Sequence, residues 1–246
     1  MNMTMRLGQT GLSGQRALVT GAGRGIGRAI ARRLAAEGVR VMCVSRTQSE
    51  LDETLAETDG AVSLVADVSA DDAGRALVDA ACAQWGGLDL LVQSAGIFRS
   101  GSIEETPMSD FDALHRINVR APFLVAQAAI PALKRAQGQM VFLNSSIIRA
   151  ANIAGRAVYA ANHAALKAIA DGIRDEVNAA GVRVLSVMPG ATATPRQAAI
   201  FAASGQIYRP ERLLQADDVA DAVCAALLLP RTAEVTDIFM RPMLKS

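Results

Sequence analysis

Much that would mark a specialised class of protein is scarce in this chain of 246 residues. Six Phe, two Tyr and one Trp are its only aromatic residues, so any core must be aliphatic and alanine-rich. The formal net charge is +1, with no basic tail and no acidic block, which argues against nucleic acid or an anionic membrane as a main partner. The three cysteines, Cys43, Cys82 and Cys224, are too few and too scattered for a disulfide framework or a metal-ligand cluster. Cys43 and Cys224 sit in apolar runs and read as buried thiols. No apolar run is long enough to span a bilayer, and Met1 to Gln9 has one Arg and no hydrophobic segment of the secretory kind. These absences predict a cytoplasmic protein whose partners are small molecules.

What is present is alternation. Half the residues are apolar, enough for a substantial core. Arg16 to Thr20 suits a buried strand, and it meets the glycine-rich stretch Gly21-Ala22-Gly23-Arg24-Gly25-Ile26-Gly27, after which Arg28 to Gly38 has helical periodicity. Further apolar runs, Val41–Ser45, Ala61–Ala66, Leu88–Gln93, Gln139–Asn144 and Val182–Met188, alternate with amphipathic helices, among them Asp71–Trp85, Ser109–Leu133 and Tyr159–Ala180. A last helix, Ala216–Leu229, and strand, Thr236–Arg241, close the chain. Continuous apolar strands between helices predict a doubly wound parallel sheet of about seven strands, covered on both faces. The whole chain reads as one domain, 1–246, with a polar leader over 1–13. Residues 191–212 interrupt the rhythm and read as a substrate lid.

Ligands in such sheets bind beyond the carboxyl ends of the strands, where Gly21, Ser45, Asp67, Ala95, Ser146 and Pro189 would converge. Strand, glycine turn and helix together place backbone N–H groups against a phosphate. After the second strand comes Ser45-Arg46 instead of the carboxylate that suits a ribose 2′-hydroxyl. A hydroxyl and a guanidinium, with Arg24 from the glycine turn, suit a 2′-phosphate and predict NADP in preference to NAD. The helix beginning at Tyr159 puts Tyr159, His163, Leu166, Ala170, Ile173 and Val177 on one face. Two titratable rings therefore stand one above the other at the start of a buried helix.

These residues resemble the short-chain dehydrogenase/reductase family over nearly the whole chain. Thr20-Gly21-x-x-x-Gly25-x-Gly27 is similar to its cofactor turn, Asp67 to its adenine-contacting Asp, and Asn118 to its helix Asn. Ser146 stands the family's thirteen residues before Tyr159, and Pro189-Gly190 with Thr194 is similar to its nicotinamide segment. The resemblance implies a Rossmann-like fold, NAD(P)(H), hydride transfer between an alcohol and a carbonyl, and a homotetramer or homodimer. It implies catalytic roles for Asn118, Ser146, Tyr159 and His163. The cofactor would be held at the glycine turn by Gly21, Arg24, Gly25, Ile26 and Gly27, and at its adenosine end by Ser45, Arg46, Asp67 and Val68. Ala95, Gly96, Tyr159, His163, Pro189, Gly190, Thr192 and Thr194 would complete the site.

Two departures stand out. Gln93-Ser94-Ala95-Gly96 replaces the common Asn-Asn-Ala-Gly but keeps the small Ala-Gly pair. More seriously, the family's Tyr-x-x-x-Lys is here Tyr159-x-x-x-His163. That lysine is taken to donate to the nicotinamide ribose and to lower the tyrosine pKa by its charge. A histidine of ordinary pKa would make such help pH-dependent near neutrality. Lys167 is no stand-in, being eight residues from Tyr159, about 12 Å along the helix, and on another face.

Three readings follow: an NADP(H)-dependent oxidoreductase interconverting a carbonyl and an alcohol, a cofactor-binding sensor or scaffold with weak or lost turnover, and non-redox chemistry with His163 as base. The substrate is legible only as a medium-sized, partly apolar ketone or aldehyde. Arg196, Arg209 and Arg212 are loose candidates for an anion clamp, Arg149 and Asn152 for facing the substrate, and Phe201 and Tyr208 for lining its pocket.

Overall fold

The computed structural model describes residues 11–244, so most of the expected leader lies outside the described residues. The first half runs β1 (Arg16–Thr20), α1 (Gly25–Ala36), β2 (Arg40–Ser45), α2 (Gln48–Ala56), β3 (Val62–Val65), α3 (Ala73–Trp85) and β4 (Leu90–Gln93). Then come α4 (Met108–His115), α5 (Ala121–Ala136), β5 (Gln139–Leu143), α6 (Ala157–Val177) and β6 (Arg183–Pro189). The chain continues with β7 (Thr192–Ala193), α7 (Pro195–Ala203), β8 (Leu214–Gln215), α8 (Ala216–Leu227) and β9 (Asp237–Met240). Seven strands form one parallel sheet in the order β3-β2-β1-β4-β5-β6-β9, and β7 pairs with β8 separately.

The doubly wound sheet expected from the alternation is therefore what forms. Successive side chains of a strand point to opposite faces. Ala17 and Val19 face α1 and α8, packing with Ile30, Leu34, Val219 and Val223, whereas Leu18 faces α3, α5 and α6 with Leu77, Val125, Leu133 and Leu166. Each such leucine, fully buried, is worth about 1.5–3 kcal/mol over its exposed state. Cys43 and Cys224 are indeed buried, and burial pushes the Cys43 thiol up to about 12. Among the described residues no helix is long and apolar enough to cross a membrane.

Strand order sets the position of the site. From β3 the chain returns across the sheet to β4, so β1 has β2 on one side and β4 on the other. The connections leaving β1 and β4 diverge and open a crevice at their carboxyl ends.

Two elements differ from expectation. The single helix expected over Ser109–Leu133 is broken by a π-helical turn, Arg116–Arg120, between α4 and α5. Its wider winding carries Asn118, which is buried at 3% exposure. Residues 191–212 are also not a plain loop, since they include β7, α7 and a 3-10 turn at Pro210–Arg212. The Thr194 hydroxyl caps α7 by accepting from the Gln197 N–H at 3.2 Å, and Pro195 takes the first helical position.

Candidate active site

An open cleft of about 220 Å³ lies at the carboxyl ends of the strands. Its base is the glycine turn. Gly21 has φ +68°, and a Cβ there would lie 2.7 Å from the Ala95 nitrogen. The chain after β1 thus meets the chain after β4 backbone to backbone, at a distance no side chain permits. Gly27 serves the turn from behind: its Cβ would lie 2.2 Å from the Gly21 oxygen, and it does not line the cleft. Gly25 and Ile26 do line it, at the start of α1. The first turn of α1 has no acidic residue and no side-chain cap, so its N–H groups are available to an anion at the positive end of the helix dipole.

The adenosine end holds Ser45, Arg46, Asp67 and Val68, with Arg24 across from them. The Asp67 carboxyl is held low, chiefly by the Ser69 N–H that it accepts at 2.9 Å, with help from the Arg46 charge. One residue here was missed in the sequence. Glu50, on the first turn of α2, lies 3.4 Å from the Arg24 guanidinium and accepts a long hydrogen bond of 3.4 Å from Ser45. The hydroxyl and the guanidinium expected to welcome a phosphate thus already share a carboxylate.

At the other end, Tyr159 and His163 meet edge to face with ring centroids 4.3 Å apart, and Phe98 closes on Tyr159 at 5.0 Å. His163 is 6% exposed, and its Nδ1 lies 2.8 Å from Asn144 Oδ1. The Asn144 amide is fixed from both sides: its Nδ2 donates to the His163 carbonyl at 3.1 Å, and its Oδ1 accepts from the Ser145 N–H at 2.8 Å. Reversing the amide would set donor against donor and acceptor against acceptor. Nδ1 must therefore carry the proton, and in the neutral ring Nε2 is left as an acceptor. Burial, assisted by the Arg196 charge, lowers the His163 pKa to about 4. The expected titration near neutrality is thus corrected, because a buried imidazole without a carboxylate partner resists charging. Burial also raises the Tyr159 pKa, against smaller downward effects of the Arg196 charge and of a hydrogen bond with the Ser145 side chain.

Two serines stand near Tyr159 at the end of β5. The Ser145 side chain acts on the Tyr159 pKa and accepts from the Ile147 N–H at 3.2 Å, Ser146 begins the 3-10 turn Ser146–Arg149, and neither serine lines the cleft. Asn118, expected in a water relay, spends its amide on Ile97: Oδ1 accepts from the Ile97 N–H at 2.8 Å, and Nδ2 donates to the Ile97 carbonyl at 2.9 Å. It fixes the chain leaving β4. Ala95, Gly96, Pro189 and Thr194 line the cleft as expected. Gly190 and Thr192 do not, because Gly190 pairs with Met240 and the Thr192 hydroxyl donates to the Gly190 carbonyl at 3.0 Å.

The remaining candidates lie elsewhere. Lys167 is held by Asp171 at 2.6 Å and Asp237 at 3.0 Å. Arg149 stacks on Phe239 at 4.4 Å, Asn152 caps its own turn, and Phe201 and Tyr208 pack on each other. Arg196 alone of the loose arginine candidates reaches the cleft.

Comparison with known proteins agrees with this geometry. A family model described as short chain dehydrogenase matches residues 15–205. An uncharacterised oxidoreductase of Staphylococcus epidermidis is 32% identical over 233 residues, covering 92% of this chain and 96% of that one. A crystal structure of a short chain dehydrogenase from Burkholderia cenocepacia in complex with NADP is similar with a TM-score of 0.81 and 35% identity, over 93% of this chain and 97% of that one. A variant of the actinorhodin polyketide ketoreductase with NADPH is similar with a TM-score of 0.82 and 27% identity, over 92% and 95%.

Proposed function

The chain belongs to the short-chain dehydrogenase family, and we propose that it is an NADP(H)-dependent oxidoreductase that reduces a carbonyl to an alcohol. The observation that carries the reading is one cleft joining an uncapped helix start and a glycine turn to the half-buried Tyr159 and the buried His163. The cradle fits a dinucleotide, because Gly21, Gly23, Gly25, Ala95 and Gly96 line the cleft without bulk and the start of α1 leaves its N–H groups uncapped. The glycine turn and the start of α1 would take the pyrophosphate, Ser45, Arg46 and Arg24 the 2′-phosphate, and Asp67 and Val68 the adenine. NADPH, when bound, supplies the hydride.

Direction follows from the phenol. A Tyr159 kept neutral by burial is already protonated at neutral pH, so it donates to a developing alkoxide without activation and is a poor base for the reverse step. Ser145 shares the Tyr159 hydroxyl, and a carbonyl oxygen arriving there would be held by one group and protonated by the other. His163 Nε2, lacking a proton, would accept from a cofactor ribose hydroxyl where the family lysine donates.

A binding protein with lost turnover is the second reading, and the neutral His163 is what favours it. Carbonyl-dependent consumption of NADPH separates the two: turnover over a broad panel, abolished in Tyr159→Phe with NADPH binding intact, is the expected result. Binding without turnover on every carbonyl would leave only the second reading.

A further inference from the structure

The neutral imidazole leaves a gap in the charge balance of the site. Whenever Tyr159 has lost its proton, a phenolate stands against the rings of Phe98 and His163, and neither carries a positive charge to meet it. On α6 the next cation is Lys167, which is occupied by Asp171 and Asp237. The opposite wall supplies another. Arg196, at the second position of α7, reaches across the cleft and donates from Nη2 to the Gly96 carbonyl beyond β4. Its guanidinium lines the same cleft as Tyr159, His163 and Asn118. Among the described residues no carboxylate pairs with it, and four of its five N–H donors remain free of the Gly96 bond. Arg196 is exposed in the open cleft, so solvent screens its field until a ligand fills the cleft and displaces the water.

We propose that Arg196 is the positioning residue that stabilises the Tyr159 phenolate, so that the two tasks of the family lysine are divided. Arg196 supplies the charge from α7, and His163 supplies the hydrogen bond to the ribose from α6, as an acceptor. The inference rests on the oxidoreductase reading for its consequence but not for its physics. In the alcohol-to-carbonyl direction the substrate O–H bond would give its proton to the Tyr159 phenolate and the C–H bond of the same carbon its hydride to bound NADP+, leaving a carbonyl, a neutral phenol and NADPH. Arg196 acts on the first half of that exchange. After reduction it also stabilises the phenolate that remains until solvent returns a proton.

The interaction is reciprocal. The Arg196 charge lowers the Tyr159 pKa against the larger upward push of burial, and Tyr159 in turn acts to raise that of Arg196. The same charge adds to the burial that keeps His163 neutral. The Tyr159 ring packs against His163 from α6 and against Phe98 from the loop after β4, and Arg196 from α7 and Arg24 from the glycine turn line the same cleft. Among the described residues no carboxylate pairs with the Arg196 guanidinium.

The chain has two tyrosines, so Tyr208→Phe leaves Tyr159 as the only phenol. In that full-length background, Tyr159 is titrated by its phenolate absorbance. Fluorotyrosine incorporation followed by fluorine NMR lowers the midpoint into the range where the chain is folded. Arg196→Gln should move the midpoint up, Arg196→Lys should keep most of the wild-type value, and Lys167→Gln should leave it in place. Alcohol oxidation below the midpoint should slow tenfold for each pH unit by which Arg196→Gln raises it. An unchanged midpoint in Arg196→Gln, or an equal shift in Lys167→Gln, overturns the proposal. The titration needs neither substrate nor turnover, so a protein that proves inactive would defeat the functional reading while this result still stood or fell alone.

Discussion

Replacing Glu50 by Gln should change which cofactor the protein prefers. Glu50 lies 3.4 Å from Arg24 and is hydrogen-bonded by Ser45, the groups proposed to receive a 2′-phosphate. Two like charges 4 Å apart repel by about 1 kcal/mol in water and about 4 kcal/mol at an effective dielectric of 20. The Glu50 side chain is 27% exposed, and Arg24 more so at 60%, which places the repulsion toward the lower figure. Removing it should strengthen NADPH binding by about 1–2 kcal/mol, or about 5–30-fold. NADH should move the other way, because its ribose 2′-hydroxyl loses a carboxylate acceptor worth about 0.5–1.5 kcal/mol. Titration by nicotinamide fluorescence at low salt should show the ratio of the two dissociation constants shifting toward NADPH by at least about tenfold. The shift should shrink at high salt. A ratio that stays put, or moves toward NADH, would refute the placement of the phosphate at Ser45 and Arg24.

Other consequences follow from the same geometry. His163 has a folded pKa of about 4 against an ordinary 6.5, so it takes up protons more readily when unfolded. Its contribution to stability is complete above about pH 6.5 and is lost as pH falls toward about 4, amounting to about 3 kcal/mol. Acid denaturation of His163→Gln should lack that loss, and an unchanged acid limb would contradict the buried neutral imidazole. Ser145→Ala should lower kcat by about 10²–10³-fold, as for loss of one donor to a developing oxyanion, and Ser146→Ala by far less; the opposite ranking would restore the thirteen-residue interval. Arg183, 8% exposed, donates to the carbonyls of Leu227, Leu229 and Ala233. Arg183→Met should destabilise the chain by about 2–4 kcal/mol in urea unfolding, since it strands several buried acceptors.

The sheet and its cleft were legible because they rest on strong local signals. Buried parallel strands are continuous runs such as Val41–Ser45, and the glycine turn announces itself by composition. Less legible was anything decided by one residue of register. Ser145 and Ser146 are adjacent and chemically identical, and only the structure shows that Ser145 has extended backbone and caps the 3-10 turn that Ser146 begins. The π-helical turn at Asn118 leaves no mark on periodicity, because it shifts the winding over a single turn. Glu50 belongs to no motif, and nothing in the sequence places its carboxylate beside Ser45 and Arg24. The bond from His163 to Asn144 spans nineteen residues, and no local pattern encodes it. With that bond unseen, the imidazole was credited with an ordinary pKa. Arg196 was visible as a loose candidate, but its reach to Gly96 depends on α7, which the sequence suggested only as a lid.

The most direct test of the central claim follows deuterium from C4-labelled NADPH into the alcohol product of a carbonyl substrate, in wild type and in Tyr159→Phe. Label should appear in the wild-type product at a rate nearly flat across the interval from about pH 6 to 8, where a free histidine would titrate, and it should be lost in Tyr159→Phe. Tight NADPH binding with no label transferred, or a rate that follows a histidine titration in that interval, would contradict hydride transfer supported by a neutral His163.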